Sequence, residues 1–262
     1  MANFNAPENI AEAVIEKVGV KKCQLGFVQV VLLGILAGAF IAFGAQLATR
    51  VQTGVEPFGL RIFLGGAVFS VGLMLVVIAG AELFTGNNLI MMSVLAGKKK
   101  VGTMLGYWLI VFIANFIGSL LVVWLMKMSN IVTGDVAATA IGIAKSKAGL
   151  TFQEAFFRGI LCNWLVCLAV WLALAANDIP GKILGIFFPI MAFVASGFEH
   201  SIANMYFIPM GMILDTTGSI TMGGFMNNLA AATLGNIVGG AGFVATVYYV
   251  IFRKCANKPE AK

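Results

Sequence analysis

The chain has 262 residues, of which 60% are apolar and only 11% charged, and its mean hydropathy is +0.96. Soluble domains carry roughly 25% charged residues, so this chain cannot cover a water-facing surface and reads as one integral membrane domain with no room for a soluble module. The net charge of +6 does not point to nucleic acid, because the basic residues cluster at the ends of apolar runs, where topology signals sit.

Residues 1–22 come before any hydrophobic stretch. NAPENIAEAVIEKVGVKK (5–22) mixes glutamates with lysines, unlike a cleavable signal. Ile10, Val14, Ile15 and Val18 recur at helical spacing opposite Glu8, Glu12, Glu16 and Lys17. This predicts a short amphipathic helix lying on the membrane face or against the bundle.

Residues 23–253 form the membrane domain. A spanning helix needs about 20 largely apolar residues, which predicts uncharged spans at 23–49, 101–126 and 159–177 and a last one beginning near Phe225, after a turn-like 216–224. Two stretches differ. Residues 62–81 run into Glu82 and LFTGNNLIMMSVLAG, together too long for one span, and 183–198 meets Glu199 and His200 before continuing over 201–214. Two broken spans, the second and the fifth of six, are the economical solution.

With six spans, Lys17, Lys21, Lys22, Lys98, Lys99, Lys100, Lys182 and the basic residues of the 254–262 tail share one side with Arg253. Arg50, Arg61, Lys127, Lys145, Lys147 and Arg158 face the other, so both termini are predicted to be cytoplasmic. Gly34, Glu82 and Asn115 are echoed in order, at a nearly constant separation, by Gly159, Glu199 and Asn236. This suggests a duplication of 23–128 in 152–253, and three spans per half make it an inverted repeat. GxxxG pairs beginning at Gly34, Gly102 and Gly235 allow close helix contact.

Non-helical backbone at membrane depth is tolerated only inside protein or along a watery cavity. The breaks 81–88 and 196–204 are therefore expected to face one pathway. Half-helix N-termini there attract anions, and Thr85, Ser201, Asn87, Asn88 and Asn204 add hydroxyls and amides. His200 is the only histidine and the one side chain that exchanges a proton near neutral pH. It reads either as a donor to an entering anion or as a structural histidine bonded to a backbone carbonyl. Glu82 and Glu199 read as loop supports that accept backbone N–H bonds. Cys23, Cys162, Cys167 and Cys255 make no CxxC pair, which supports neither disulfides nor a metal site.

AELFTG at 81–86, CNWLVCLAVW at 162–171 and ASGFEHSIANM at 195–205 strongly resemble the formate/nitrite transporter family, and the likeness covers nearly the whole chain. It implies an all-α, aquaporin-like fold of six spans and a homopentamer with one pore per protomer. It also implies passage of formate, nitrite or hydrosulfide, with or without coupled protons, and no cofactor. By the same resemblance His200 is the central pore histidine and Thr85 its opposing hydroxyl, with Asn163 and Asn204 nearby. Leu83, Phe193, Phe69, Leu73 and Val166 match slit positions, and Lys147 matches a basic vestibule residue that draws anions inward. LFTG and CNWLVCLAVW lean towards the nitrite type. Two other classes compete: a neutral-solute channel, for which the paired Asn-Pro-Ala motifs are missing, and an intramembrane protease using His200 and Ser201.

Overall fold

A computed structural model describes residues 4–256. Residues 1–3 of the N-terminal segment and 257–262 of the tail lie outside the described residues.

Among the described residues the regular secondary structure is all helical, apart from one isolated bridge between Phe4 and Ala176. Among the described residues, five helices are long and apolar enough to cross a membrane: α2 (Phe27–Gln52), α3 (Phe58–Gly80), α5 (Val101–Met128), α7 (Phe152–Ala175) and α10 (Met222–Phe252). The shorter α8 (Ile179–Ala195) and α9 (Ser201–Leu214) follow one another across a break. Residues 81–85 form a second break, between α3 and a 3-10 turn, Gly86–Ile90, that leads into α4 (Met91–Leu95). The helices keep apolar side chains on their outer faces. On α5, Leu105, Leu109, Ile113 and Ile117 are exposed at one-turn spacing, a face suited to lipid or to another protein surface.

The predicted spans differ from the helices mainly at their ends. The helix expected at 159–177 begins earlier, because Thr151 and Glu154 form a capping box that lets α7 start at Phe152 and carry Arg158. The turn before the last span is held by Asp215, which accepts hydrogen bonds from the Thr217 hydroxyl, the Ser219 hydroxyl and the N–H groups of Thr217 and Ile220. Those bonds hold its carboxyl below the usual carboxylate range. Sequence patterning gave no sign of α6 (Gly134–Ala148), an alanine-rich helix whose last turn carries Lys147.

The N-terminal segment lies against the bundle. It runs as α1 (Pro7–Ala13) and a π-helical stretch, Val14–Val20, and buries Ile10, Val14, Ile15 and Val18 against Leu89, Met92, Trp171 and Val244. Ser93 donates to the Ile15 carbonyl, Asn5 donates to the carbonyls of Leu174 and Ala175, and Lys98 pairs with Glu16. The apolar stripe read from the sequence is therefore the docking face.

Two helix pairs set the scaffold, and each depends on glycine. Where α2 crosses α5, a Cβ added at Gly38 would lie 2.0 Å from the Asn115 carbonyl oxygen, and one at Gly118 would lie 1.9 Å from that of Ile35. Where α7 crosses α10, Gly235 and Gly239 stand in the same relation to Phe156 and Ile160, at 2.1 and 2.2 Å. Gly102 and Gly106 differ: nothing in this chain lies within 4 Å of either added Cβ, so this GxxxG does not serve packing within the chain. A methyl at Gly118 has backbone rather than a flexible side chain to displace. We expect Gly118→Ala to destabilise the solubilised protein by about 1–3 kcal/mol, read as a lower melting temperature, whereas Gly59→Ala, with open space around it, leaves that temperature unchanged or raises it.

Candidate functional site

Both breaks begin at a glycine in the left-handed region, Gly80 at φ +89 and Gly197 at φ +72. No side chain with a Cβ reverses the chain there without strain. Beyond each glycine the backbone runs extended, and its N–H and C=O groups need partners that lipid cannot supply.

An asparagine on a neighbouring helix supplies them at each break. Asn115 of α5 accepts from Phe84 N at 2.9 Å and donates to the carbonyls of Glu82 and Gly34 at 2.8 Å each. Asn236 of α10 accepts from Ser201 N at 2.9 Å and donates to the carbonyls of Glu199 and Gly159 at 2.9 and 2.8 Å. The backbone bonds repeat as well: Glu82 N donates to Leu33 O at 3.1 Å and Glu199 N to Arg158 O at 3.3 Å. Asn163 links the first break to α10, its two amide hydrogens lying within reach of the Thr85 carbonyl, Asn88 Oδ1 and the Asn236 carbonyl.

The carboxylates do not accept backbone N–H bonds, contrary to the sequence expectation, because Asn115 and Asn236 already take that role. Glu82 instead accepts from Asn87 at 2.9 Å and pairs with Lys22 at 3.0 Å. Glu199 accepts from Asn204 at 2.6 Å and Asn228 at 3.1 Å and pairs with Lys147 at 2.8 Å. Tyr107 precedes Asn115 by the interval that separates Asn228 from Asn236. Its hydroxyl is buried and has no hydrogen-bond partner among the described residues.

His200 caps α9. Its Nδ1 accepts from Ala203 N at 3.1 Å, and its Nε2 lies 3.0 Å from Thr85 Oγ1 of the other break. An Nδ1 that accepts cannot carry a proton, so the ring proton is assigned to Nε2, pointing at Thr85. The structural alternative thus holds in part, with the bond going to a backbone N–H rather than a carbonyl. Ser201 Oγ makes no hydrogen bond, and both ring nitrogens of His200 are engaged elsewhere, so no serine nucleophile is activated.

A cavity of about 570 Å³ runs from Gln52, Glu56 and Arg61 at its rim to His200. Phe69, Phe193 and Phe207 wall its inner end: Phe193 stacks on the imidazole at 5.8 Å and Phe69 meets Phe193 edge-on at 5.7 Å. Of the expected slit residues, Phe69 and Phe193 line this cavity, whereas Leu73, Leu83 and Val166 are buried in the core outside its lining. Asn163 and Asn204 also lie outside the lining and serve the breaks. Lys147 does line the cavity, but its charge is matched by Glu199, so it is not a free cation.

Sequence reading used Asn115 and Asn236 only as marks of duplication and missed Asn228, Lys22 and Phe207. An amide deep in an apolar run of membrane length, alone at Asn115 and a turn or more from Asn227 and Asn228 at Asn236, is the signal that flags the first two. Removing Lys147 strands the Glu199 carboxylate. Lys147→Gln should therefore cost about 3 kcal/mol, and adding Glu199→Gln should recover most of the melting temperature; two additive losses would show that the pair does not matter.

The family profile for formate/nitrite transporters matches residues 8–250. A probable formate transporter of Methanothermobacter thermautotrophicus is 45% identical, with 97% of this chain and 99% of the relative aligned. A solved FNT family ion channel superposes with a TM-score of 0.86 at 30% identity, covering 94% of this chain and 98% of that one. A pentameric formate channel with formate bound gives 0.79 at 35% identity, covering 87% and 98%. With a matched profile, a matched fold and both breaks in place, the chain belongs to the formate/nitrite transporter family.

Proposed function

We propose that this protein is a channel for small monovalent anions in the cytoplasmic membrane. It crosses six times, with both termini cytoplasmic and with 23–128 and 152–253 as inverted repeats. The observation that carries the reading is the cavity, lined by Arg61 and Arg158, that leads to the buried His200–Thr85 pair between two helix breaks. The paired hydrogen bonds of Asn115 and Asn236 support the duplication. The lysine-rich end formed by the N-terminal segment and the 97–100 loop supports the orientation. A homopentamer follows the assembly named for the similar formate channel, and the open face around Gly102 and Gly106 suits a contact between copies. The lining carries three cations, Arg61, Lys147 and Arg158, against two carboxylates, Glu56 and Glu199, which favours anions over neutral solutes.

Formate is the first candidate anion, because the 45% identical relative and the pentameric structure are both described by formate. The LFTG lean towards nitrite carries less weight. A Cβ at Gly86 would meet only Val170, at 3.7 Å, and Gly86 does not line the cavity.

His200 acts as a hydrogen-bond donor. In the capped ring Nε2–H can donate to an anion that displaces Thr85. Giving up that proton outright would leave an imidazolate unless Nδ1 were first protonated, and protonating Nδ1 breaks the cap on Ala203. Asparagine can both cap a helix and donate. Formate uptake into proteoliposomes by His200→Asn should therefore stay within about tenfold of the parent, while His200→Phe, with no donor, falls by up to about a hundredfold. Equal loss in both variants would mean that an ionised imidazole is required.

A further inference from the structure

Lys147 is matched by Glu199, which leaves open which group receives the anion before His200. Arg158 also lines the cavity, one residue before Gly159 on α7, and its own carbonyl accepts the Glu199 N–H at 3.3 Å. Its backbone is thus tied to the break that carries His200. Among the described residues its guanidinium forms no salt bridge. Glu154, one turn earlier, feels the Arg158 charge through space but forms no salt bridge with it, its carboxylate being bound by the Thr151 N–H and hydroxyl. The other charged side chains of the lining are Glu56 and Arg61 near the rim and the Lys147–Glu199 pair. Arg61 lies with its guanidinium 5.6 Å from the centre of the Phe58 ring. Arg158 is therefore the cation of this lining that combines a charge outside any salt bridge with a backbone anchored at the break.

A guanidinium presents parallel N–H groups in a plane, a fork that fits two coplanar oxygens and gains little from a single-atom acceptor. We propose that Arg158 is an anion-binding residue of the cavity, receiving the anion ahead of His200 and favouring planar two-oxygen anions, such as formate or nitrite, over hydrosulfide. This rests on the anion-channel reading. Lys147, neutralised by Glu199, then shapes the inner wall, where it lies 5.4 Å from the Phe207 ring centre, and Arg158 supplies the attraction.

The test uses the full chain in proteoliposomes, with formate and hydrosulfide uptake measured at low ionic strength and corrected for protein-free vesicles. Arg158→Lys keeps the charge and loses the fork, so the formate-to-hydrosulfide uptake ratio should fall about threefold to tenfold. Arg158→Gln should lower uptake of both anions at low salt, with the difference from the parent shrinking as salt is raised. Arg50→Gln removes an exposed cation outside the cavity lining and should leave the ratio unchanged. An unchanged ratio in Arg158→Lys, or an equal shift in Arg50→Gln, overturns the proposal. Parent vesicles that take up neither anion would instead overturn the channel reading itself.

Discussion

The fold depends on how two asparagines satisfy the backbone at two interruptions. Each break exposes peptide groups where lipid offers no partner, and an unmet buried N–H or C=O costs about 1–3 kcal/mol. A primary amide suits this position because one side chain both accepts and donates twice. Asn115 and Asn236 use that full capacity, each bonding one N–H and one C=O of its break and a carbonyl of a third helix. The glycine contacts follow from the same requirement. Gly38 and Gly235 let the neighbouring helix come close enough for a short amide to reach across.

With the backbone met by amides, Glu82 and Glu199 are free to act as charged hubs. Each gathers a side-chain amide from the half-helix that follows it and one lysine, so that a carboxylate is kept at depth with its charge balanced. His200 can then cap α9 while its second nitrogen faces Thr85 across the gap. Asn163 ties the Thr85 carbonyl of the first break to the backbone of Asn236, whose side chain holds the second.

Much of this was legible in the sequence. Apolar runs of membrane length located the long helices, and Glu82 and Glu199 with His200 marked the two interruptions. The stripe of Ile10, Val14, Ile15 and Val18 marked a docking face. What stayed hidden depended on relations across the chain. Nothing local tells that Phe193 lines this cavity while Leu73 and Val166, equally buried, lie outside its lining, since all three leave the same apolar letter. Lys147 looked like a free vestibule cation because its partner, Glu199, lies far along the chain. Glycine at 80 and 197 could be read as punctuation, but the positive φ that makes it necessary could not.

The two halves repeat their amides closely and their lysines hardly at all. Lys22 reaches Glu82 from the end of the N-terminal segment, and Lys147 reaches Glu199 from the last turn of α6. Neither lysine lies in a long apolar helix, so each buried carboxylate is neutralised by a segment at the edge of the bundle. Undocking either segment would leave a carboxylate unpaired at depth, at a cost of several kcal/mol. The apolar face of the N-terminal helix and the ion pair of Lys22 therefore act together: burial of Ile10, Val14 and Ile15 holds the segment in place, and the carboxylate gives it a fixed register. The same logic explains why α6, though short of membrane length, belongs to the site.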